Sequence, residues 1–458
     1  MNVLNQVRGL QFLTEPIEVS SSLRRGLLAV TLLMTFRVFQ FFPGMAYVEE
    51  FWFVLCFLAL VSVYPIWKTA RGLRFSTFEL YVLALTVIDV VLPAWSAKRE
   101  FGQPLIYGIL TQRGAALLVV PLLFLNAVRS RRISPRDIEV ALLACAWGTF
   151  FVFLAMRLFL NPANFTSYGV GFAQYINGKA VFSLGLLDGC FFLFGIVYYA
   201  LMGFRTRRVK YYLAAAIFFT GMYTETSGRG SIMSLTLALL YFLYRWRPLK
   251  QFLFTGVKFA ALVTIVLTIV YVANPAYLST RIAGFGDAFA VTFTGAEVND
   301  PSANGRLFET LAALPLIQKH PLLGNGAISR QWEGGTRTAM GVNFFAGDIG
   351  IIGVLFTVGV LGFLVFGYQF LFALRAKRML PDSSHSSLSD ATAGFVLFLA
   401  IDSLMTGLCM SDSEVTLFFI ALLMGLAYVE NGRYHGSIQS DPMNHPLDSS
   451  RALQTIAS

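Results

Sequence analysis

The sequence predicts an all-α, polytopic integral membrane protein with about 12 transmembrane helices and a large, partly helical periplasmic loop between helices 9 and 10. Of its 458 residues, 56% are hydrophobic and 13% are charged, whereas about 25% of residues are charged in a typical soluble domain. Basic residues cluster in alternate loops, as expected of a chain that crosses a membrane repeatedly. Because lipid offers the backbone no hydrogen-bond partners, the apolar segments are expected to be helical.

Each predicted span has roughly the 20 residues that a helix needs to cross the hydrocarbon core. The spans are placed at 26–46, 51–67, 76–96, 104–127, 138–160, 181–203, 209–225, 230–245, 253–273, 346–372, 391–409 and 413–430. The first span follows a polar stretch without a cleavage pattern, which indicates a signal anchor. The predicted divisions are an N-terminus (1–25), helices 1–9 (26–273), a loop (274–341), helices 10–12 (342–430) and a disordered tail (431–458).

The basic residues predict the orientation of the chain. Clusters such as Arg129–Arg136 and Arg205–Lys210 fall in even-numbered loops, so both termini and these loops are expected in the cytoplasm. In a bacterial inner membrane, the 274–341 loop is then periplasmic. This topology accounts for the net charge of +10, and we expect no nucleic-acid partner.

The composition also limits the chemistry. The sequence has no phosphate-binding GxxxxGK[ST] loop, so it does not favour an ATP-driven pump. It has no cluster of His and Cys with metal-ligand spacing, so neither a metal nor another cofactor is expected. The cysteines lie in or beside apolar segments, where they are expected to act as small hydrophobic residues: Cys56, Cys145, Cys190 and Cys409.

The 274–341 loop is the longest polar interval of the chain. Loops of this length are usually either functional or disordered. The apolar residues Leu307, Phe308, Leu311 and Leu314 favour a short amphipathic helix, and therefore a functional loop.

Ionisable residues inside the predicted spans are costly in lipid and are therefore candidates for function. They are Arg37, Glu79, Asp89, Arg113, Arg157, Asp188, Asp348 and Asp402. Ion pairs inside the bundle, for example between Arg113 and Asp89, would also explain them. The alternative from a different functional class is a transporter, with a polar path through Arg113, Asp89, Asp188 and Asp402.

Two arginines on the outer side stand apart from these residues. Arg229 lies between Gly228 and Gly230 in a tight link between two spans, and Arg306 lies at the start of the predicted loop helix. Each could be structural, as an interfacial anchor or as a surface partner of Glu309. Together, their planar guanidinium groups would suit a diphosphate, whose oxygens they could bind in pairs.

Three segments carry a resemblance to a known family. They are Thr226-Ser227-Gly228-Arg229-Gly230-Ser231, the stretch from Gly305-Arg306-Leu307-Phe308 to Pro321-Leu322-Leu323-Gly324-Asn325-Gly326, and Asp348-Ile349-Gly350-Ile351-Ile352-Gly353. Their order and spacing over roughly 209–372 resemble the O-antigen ligase and polymerase superfamily of bacterial inner-membrane proteins, which includes Wzy-type polysaccharide polymerases. Ligases of this family usually carry a His-Asn pair where this chain has Ala339-Met340, and this departure favours a polymerase over a ligase.

The resemblance implies a glycosyltransferase that needs neither metal nor nucleotide. A glycan on undecaprenyl diphosphate would pass to a second lipid-linked repeat unit on the periplasmic face. Residue by residue, Arg229 and Arg306 would hold the diphosphate, and Asp348 is the first candidate for the general base. Alternatives for the base are Glu309, Asp287, Asp300 and Glu333. Asn343, Arg337 and His320 are further candidates for substrate binding. A chain-length regulator and a flippase are the expected protein partners.

Overall fold

The computed structural model describes residues 20–38, 44–70, 74–164, 173–176, 179–182, 186–225, 229–246, 297–298, 301–333, 335–341, 344–380, 386–407 and 412–439, with four single positions between 257 and 272. Within these residues the chain is helical apart from a two-stranded antiparallel hairpin, loops and turns. Seven helices are long and apolar enough to cross a membrane, or eight if one bent pair forms a single span. These helices identify a membrane protein that associates with a lipid bilayer.

The elements follow one another in a simple order. They are α1 (Ser21–Thr35), α2 (Met45–Leu58), a π-helical turn (Ala59–Val63), α3 (Tyr64–Ala70), α4 (Thr77–Phe101), α5 (Leu105–Thr111), a 3-10 helix (Arg113–Leu118), α6 (Val119–Arg129), α7 (Pro135–Phe159), β1 (Ala173–Ile176), β2 (Lys179–Phe182), α8 (Leu186–Thr206), α9 (Val209–Glu225), α10 (Arg229–Trp246), α11 (Pro301–Lys319), α12 (Thr336–Met340), a second 3-10 helix (Ala346–Ile349), α13 (Ile351–Met379), α14 (Ser387–Thr406) and α15 (Ser413–Gln439).

Helices occur at every predicted span except 253–273, which lies outside the described residues apart from single positions. The predicted boundaries need several corrections. The first helix ends at Thr35, well before the predicted end at 46, and α2 begins at Met45 rather than at 51. The first helix begins at Ser21 rather than at 26, and the sixth span overlaps β2 before its helix starts at Leu186. The last helix continues to Gln439, beyond the predicted end at 430 and into the segment expected to be a disordered tail.

Four of the described helices begin with a serine N-cap, and these caps explain where each of these helices starts. Ser76 caps α4 in a full capping box with Glu79, and Ser134 caps α7 just before a proline at the first helical position. Ser20 and Ser386 cap α1 and α14. Each side chain satisfies a backbone N–H that the helix leaves unpaired.

The centre of the bundle is formed by α8, α14 and α15, whose spans have 78%, 72% and 83% of their residues buried. Helix α2 lies at the outside, with 22% of its span buried. Phenylalanines fill the centre, for example Phe395 and Phe419 with ring centroids 4.4 Å apart. Close packing of this kind is needed because lipid offers apolar side chains almost the same environment as the protein interior.

Buried ion pairs fasten one end of the bundle. Lys68 and Glu79 lie 2.8 Å apart, with at most 5% of either side chain exposed. Tyr64 and Asn126 donate further hydrogen bonds to the Glu79 carboxylate. Arg24 donates to Asp137 from the start of α1. The other end carries α11 and the residues that follow it, and we call it the loop end.

Candidate functional site

The predicted loop helix is present as α11, which runs Pro301–Lys319. An amphipathic helix normally packs its apolar face on the protein. Here small residues, including Ala303 and Ala313, are buried instead. Three of the four apolar residues that predicted the helix are exposed at 40% or more: Phe308, Leu311 and Leu314. The small residues let α11 approach its neighbours closely, and the large apolar side chains face away from the protein.

The segment around α11 has its own apolar core. It consists of buried residues from α11, from the loops after it, from the second 3-10 helix and from the start of α13: Ala313, Ile328, Phe344, Ile349 and Phe356. The rings of Phe344 and Phe356 lie 4.5 Å apart between centroids. This part of the loop is therefore a folded element attached to a membrane span.

Helix α13 is broken at Gly359, which has φ 66° and ψ −170°. Residues 320–329, called the insertion loop, lie against this break. Backbone groups near such a break lose their helical partners and must be satisfied elsewhere if they are buried.

Hydrogen bonds in both directions join the insertion loop to the break. The N–H groups of Asn325 and Gly326 donate to carbonyls in the first half of α13, at 2.6 and 3.0 Å. Two N–H groups of the second half donate to the carbonyls of Pro321 and Leu322, at 2.9 and 3.1 Å. The loop thus replaces the missing helical hydrogen bonds, so the Pro-Leu-Leu-Gly-Asn-Gly motif has a structural role.

Both glycines of this motif are required by close packing. Gly324 has φ +68°, and a Cβ there would lie 2.6 Å from the backbone nitrogen of Gly359. Gly326 has φ +93°, and a Cβ there would lie 2.2 Å from the backbone nitrogen of Ala97 in α4. Only glycine combines this backbone conformation with such close contacts.

Polar side chains of α4 hold the other side of the insertion loop. Arg99 donates to the Gly324 carbonyl at 2.9 Å, and the Gln103 side chain accepts from the Ser329 N–H at 2.7 Å. Glu100 accepts from Lys319 and contacts the His320 ring, both at 2.7 Å. The structure therefore places His320, a predicted substrate-binding residue, in an ion-pair cluster that joins α11 to α4.

A second cluster of charges surrounds the start of α13 and contains two of the predicted site residues. Arg306 and Glu309 come from α11, Arg330 follows the insertion loop, and Asp348 belongs to the 3-10 helix before α13. Electrostatic interactions connect Glu309 with Asp348 and Arg306, and Asp348 with both arginines. The structure therefore places Arg306 and Asp348 within electrostatic range of each other.

Glu309 is the most buried member of this charged cluster. Only 7% of the residue is exposed, and its Oε2 atom has no hydrogen-bond partner. Burial, reinforced by the negative charge of Asp348, raises its pKa to about 7, although the Phe345 backbone N–H and Arg306 act against the shift. A carboxyl group with this pKa is suited to exchange protons near neutral pH.

Asp348 is more exposed than Glu309. Partial burial raises its pKa, while Arg306 and Arg330 oppose that shift. Arg330 lies over the ring of Phe345, with its guanidinium carbon 4.5 Å from the ring centroid. This stacking orients the Arg330 guanidinium, which interacts electrostatically with Asp348.

Arg229 begins α10, and the structure describes its backbone only. The next residue, Gly230, packs on Met405 of α14, with a Cβ there 3.6 Å from the Met405 Cβ. The Met405 carbonyl in turn lies 2.5 Å from a Cβ placed on Gly350, two residues after Asp348. The start of α10 and the 3-10 helix therefore meet the same end of α14, so Arg229 and Asp348 lie at the loop end.

The remaining candidates have different positions. Arg337 is exposed on α12, and Glu333 is exposed with φ 40°. Asn343, Asp287 and Asp300 lie outside the described residues. Within the described part of the chain, no group of three or more His, Cys, Asp or Glu residues could hold a metal ion.

Sequence reasoning did not single out Arg330 and ranked Glu309 below Asp348. The signal for Glu309 was its spacing of three residues from Arg306, which places both on one side of a helix. No sequence signal identified Arg330, because its position depends on the path of the insertion loop.

The geometry as a whole combines two guanidinium groups with two carboxyl groups, one of them buried and titrating near neutral pH. Such a site can bind an anion and accept a proton from a neighbouring hydroxyl.

Neither a scan against protein-family models nor a search of curated proteins gives a match for this chain.

Proposed function

We propose that this protein is a glycan polymerase of the Wzy type in a bacterial inner membrane, with the loop end on the periplasmic face. It transfers a glycan from undecaprenyl diphosphate to a second lipid-linked repeat unit. The observation that carries the proposal is the cluster of Arg306, Glu309, Arg330 and Asp348 beside the end of a membrane span.

In the proposed reaction, an acceptor hydroxyl attacks the anomeric carbon of the donor. The bond between that carbon and the diphosphate oxygen breaks, and the hydroxyl proton passes to Glu309. Arg306 and Arg330, with Arg229 nearby, would stabilise the negative charge on the departing diphosphate. The glycosyl diphosphate bond itself supplies the energy, so the reaction needs no nucleotide.

The buried Glu309 is a better candidate for the general base than Asp348, which was the first choice from sequence. A base is most effective when its pKa lies near the working pH, and that of Glu309 is about 7. Asp348 would then have an indirect role, because its negative charge helps to raise the pKa of Glu309. At the same time, its negative charge would attract the two arginines.

The exposed apolar side of α11 supports a lipid-linked substrate. Phe308, Leu311 and Leu314 lie on the same short helix as Arg306 and Glu309. Apolar side chains beside a charged face are typical of helices that lie at a membrane surface. A polyprenyl diphosphate has the same division into an apolar chain and a charged head, so α11 would contact both parts.

The transporter alternative predicts a connected polar path, and the described residues do not favour one. Asp402 accepts from Thr406 at 3.0 Å within α14. Asp89 belongs to a separate cavity described below, and the Asp188 side chain lies outside the description. The ligase alternative remains a matter for experiment, because it would use the same donor.

The test is a glycan ladder from a deletion strain that carries wild-type protein or Arg306→Ala. We expect the variant to leave single lipid-linked repeats, since removing one donor to a developing charge costs about 100- to 1,000-fold in rate. Arg136→Ala removes an exposed guanidinium at the opposite end and should give the wild-type ladder. In the deletion strain, full-length chains retained on the lipid would indicate a ligase, and an unchanged ladder would refute glycan transfer.

A further inference from the structure

A second polar site lies inside the bundle, away from the cluster around Glu309. A cavity of about 100 Å³ lies between the ends of α1, α2 and α15, the middle of α4 and the first 3-10 helix, and it is partly open to the surface. Its polar lining includes Arg37, Glu49, Asp89, Gln112, Arg113 and Glu414. A volume of this size accommodates several water molecules.

The positive groups of this cavity are already paired. Arg37 lies 2.7 Å from Asp412 and 2.8 Å from Glu414. Arg113 lies 2.6 Å from Glu50, and not next to Asp89 as the sequence suggested. Both guanidinium groups therefore face carboxylates of α2 or of the segment that opens α15.

One carboxyl group remains without a cation. Asp89 is 5% exposed, lines the cavity and has no hydrogen bond or ion pair within the described part of the chain. Glu49, on the neighbouring α2, interacts electrostatically with Arg37 and Arg113, which are already paired with other carboxylates. Counting Glu50 and Asp412, the described residues place five carboxyl groups and two guanidinium groups in or beside this cavity. An uncompensated carboxylate inside a membrane protein is strongly unfavourable unless a cation or a proton neutralises it.

We propose that this cavity binds a hydrated monovalent alkali ion, with Asp89 as its main counter-charge. The side-chain oxygens of Glu49 and Gln112 are hard donors of the type such ions accept. A tightly coordinated divalent metal is not favoured, since the described residues contain no group of three suitable ligands. Arg113 and Glu50 are about half exposed and mark the route from water.

This proposal is independent of the proposed glycan transfer, because it rests on other residues and other elements. The charged groups that line the cavity with Asp89 are Arg37, which follows α1, Glu49 from α2, Arg113 from the 3-10 helix and Glu414 from α15. A bound cation would relieve repulsion among these carboxyl groups and hold four separate helical elements together. The expected consequence is a folded state that is more stable when the cation is bound.

The experiment measures the melting temperature of the purified full-length protein in detergent. In one arm, choline chloride is replaced stepwise by NaCl at constant ionic strength and pH. In the other arm, the pH is lowered from 8 to 5 in choline chloride alone. We expect a saturable rise with Na⁺; a rise only with acidity would show that a proton on Asp89 neutralises it and would overturn the cation site. Asp89→Asn should lose the rise with Na⁺.

Two comparisons make the result specific to the cavity. Glu139→Gln removes a carboxylate near the start of α7, at the opposite end of the bundle, and should keep the wild-type response. The effect of protonating Glu309 on the melting temperature is the same in the wild type, Asp89→Asn and Glu139→Gln, so it cancels when their melting temperatures are compared. If Asp89→Asn does not fold, Glu49→Gln takes its place and should weaken the response. A wild-type protein that does not respond to Na⁺, or a cavity variant that responds fully, would overturn the proposal.

Discussion

Replacing Glu309 by Gln should make the protein more stable at alkaline pH while it lowers transfer activity. The glutamate is 7% exposed, and burial raises its pKa to about 7 from the ordinary value of 4.5. Between about pH 4.5 and pH 7, the folded state therefore keeps a proton on Glu309 that the unfolded state has already released. Gln keeps the shape of the side chain and carries no charge.

The size of the effect follows from the difference between the two pKa values. Each pKa unit corresponds to about 1.4 kcal/mol, so the difference from 4.5 to about 7 amounts to about 3 kcal/mol at most. The pKa of Glu309 is higher in the folded state than in the unfolded state. Its proton therefore contributes fully to the free energy of unfolding below pH 4.5, and this contribution is lost as the pH rises to about 7. Gln does not titrate, so its advantage should appear over this window and reach its maximum above pH 7.

The assay is a series of melting temperatures for both proteins between pH 4 and pH 8.5. At about 1–2 °C per kcal/mol for a chain of this size, Glu309→Gln should melt about 3–6 °C higher than the wild type at pH 8. The two curves should run parallel below pH 4.5. Glu333→Gln, an exposed glutamate of the same loop, is the matched control and should show no such divergence. A Glu309→Gln protein whose curve stays parallel to the wild type throughout would refute the buried-carboxyl argument.

The other predictions concern activity, the loop and topology. Wild-type transfer should increase as the pH rises through about 7, because Glu309 must lose its proton to act as a base; a rate that falls over that range would count against it. Gly359→Val should destabilise the protein by about 3 kcal/mol or more, because its side chain would meet backbone atoms at 2.4 Å; Gly367→Val, with open space around it, is the control in thermal unfolding. Glu100→Gln should speed trypsin cleavage near Lys319, and an unchanged rate would contradict the ion-pair attachment. A cysteine at exposed position 331 should react with an impermeant reagent from the periplasm, and labelling only from the cytoplasm would reverse the topology.

The helices could be predicted from sequence because lipid requires long apolar segments and helical backbones. The predicted spans for α4 and α7 match their helices within a few residues, since Ser76 and Ser134 mark where each begins. The break in α13 could not be predicted in this way. Gly359 lies in an apolar stretch, and glycine is tolerated inside membrane helices without any break. Only the contact with the insertion loop requires the non-helical conformation.

The candidate site was predictable in part. Arg306 and Asp348 were identified from motifs, and the structure brings them into one cluster. The apolar pattern of α11 predicted the helix but not which residues face the protein, because Phe308 and Leu311 satisfy a helical period whether they face protein or lipid. The sequence also did not show that Asp89 lacks an ion-pair partner. Arg113 was a possible partner in sequence, but the fold pairs Arg113 with Glu50.

The insertion loop connects these observations physically. It follows α11 directly, so the hydrogen bonds that fix Pro321 and Leu322 at the break in α13 also fix the end of the helix that carries Arg306 and Glu309. On the other side of the charged cluster, Gly350 lets the 3-10 helix with Asp348 rest on the end of α14. Two glycine-dependent backbone contacts therefore position the separate elements that carry Glu309 and Asp348, whose carboxyl groups interact electrostatically. A change at either contact should alter the pKa of Glu309 without touching its side chain.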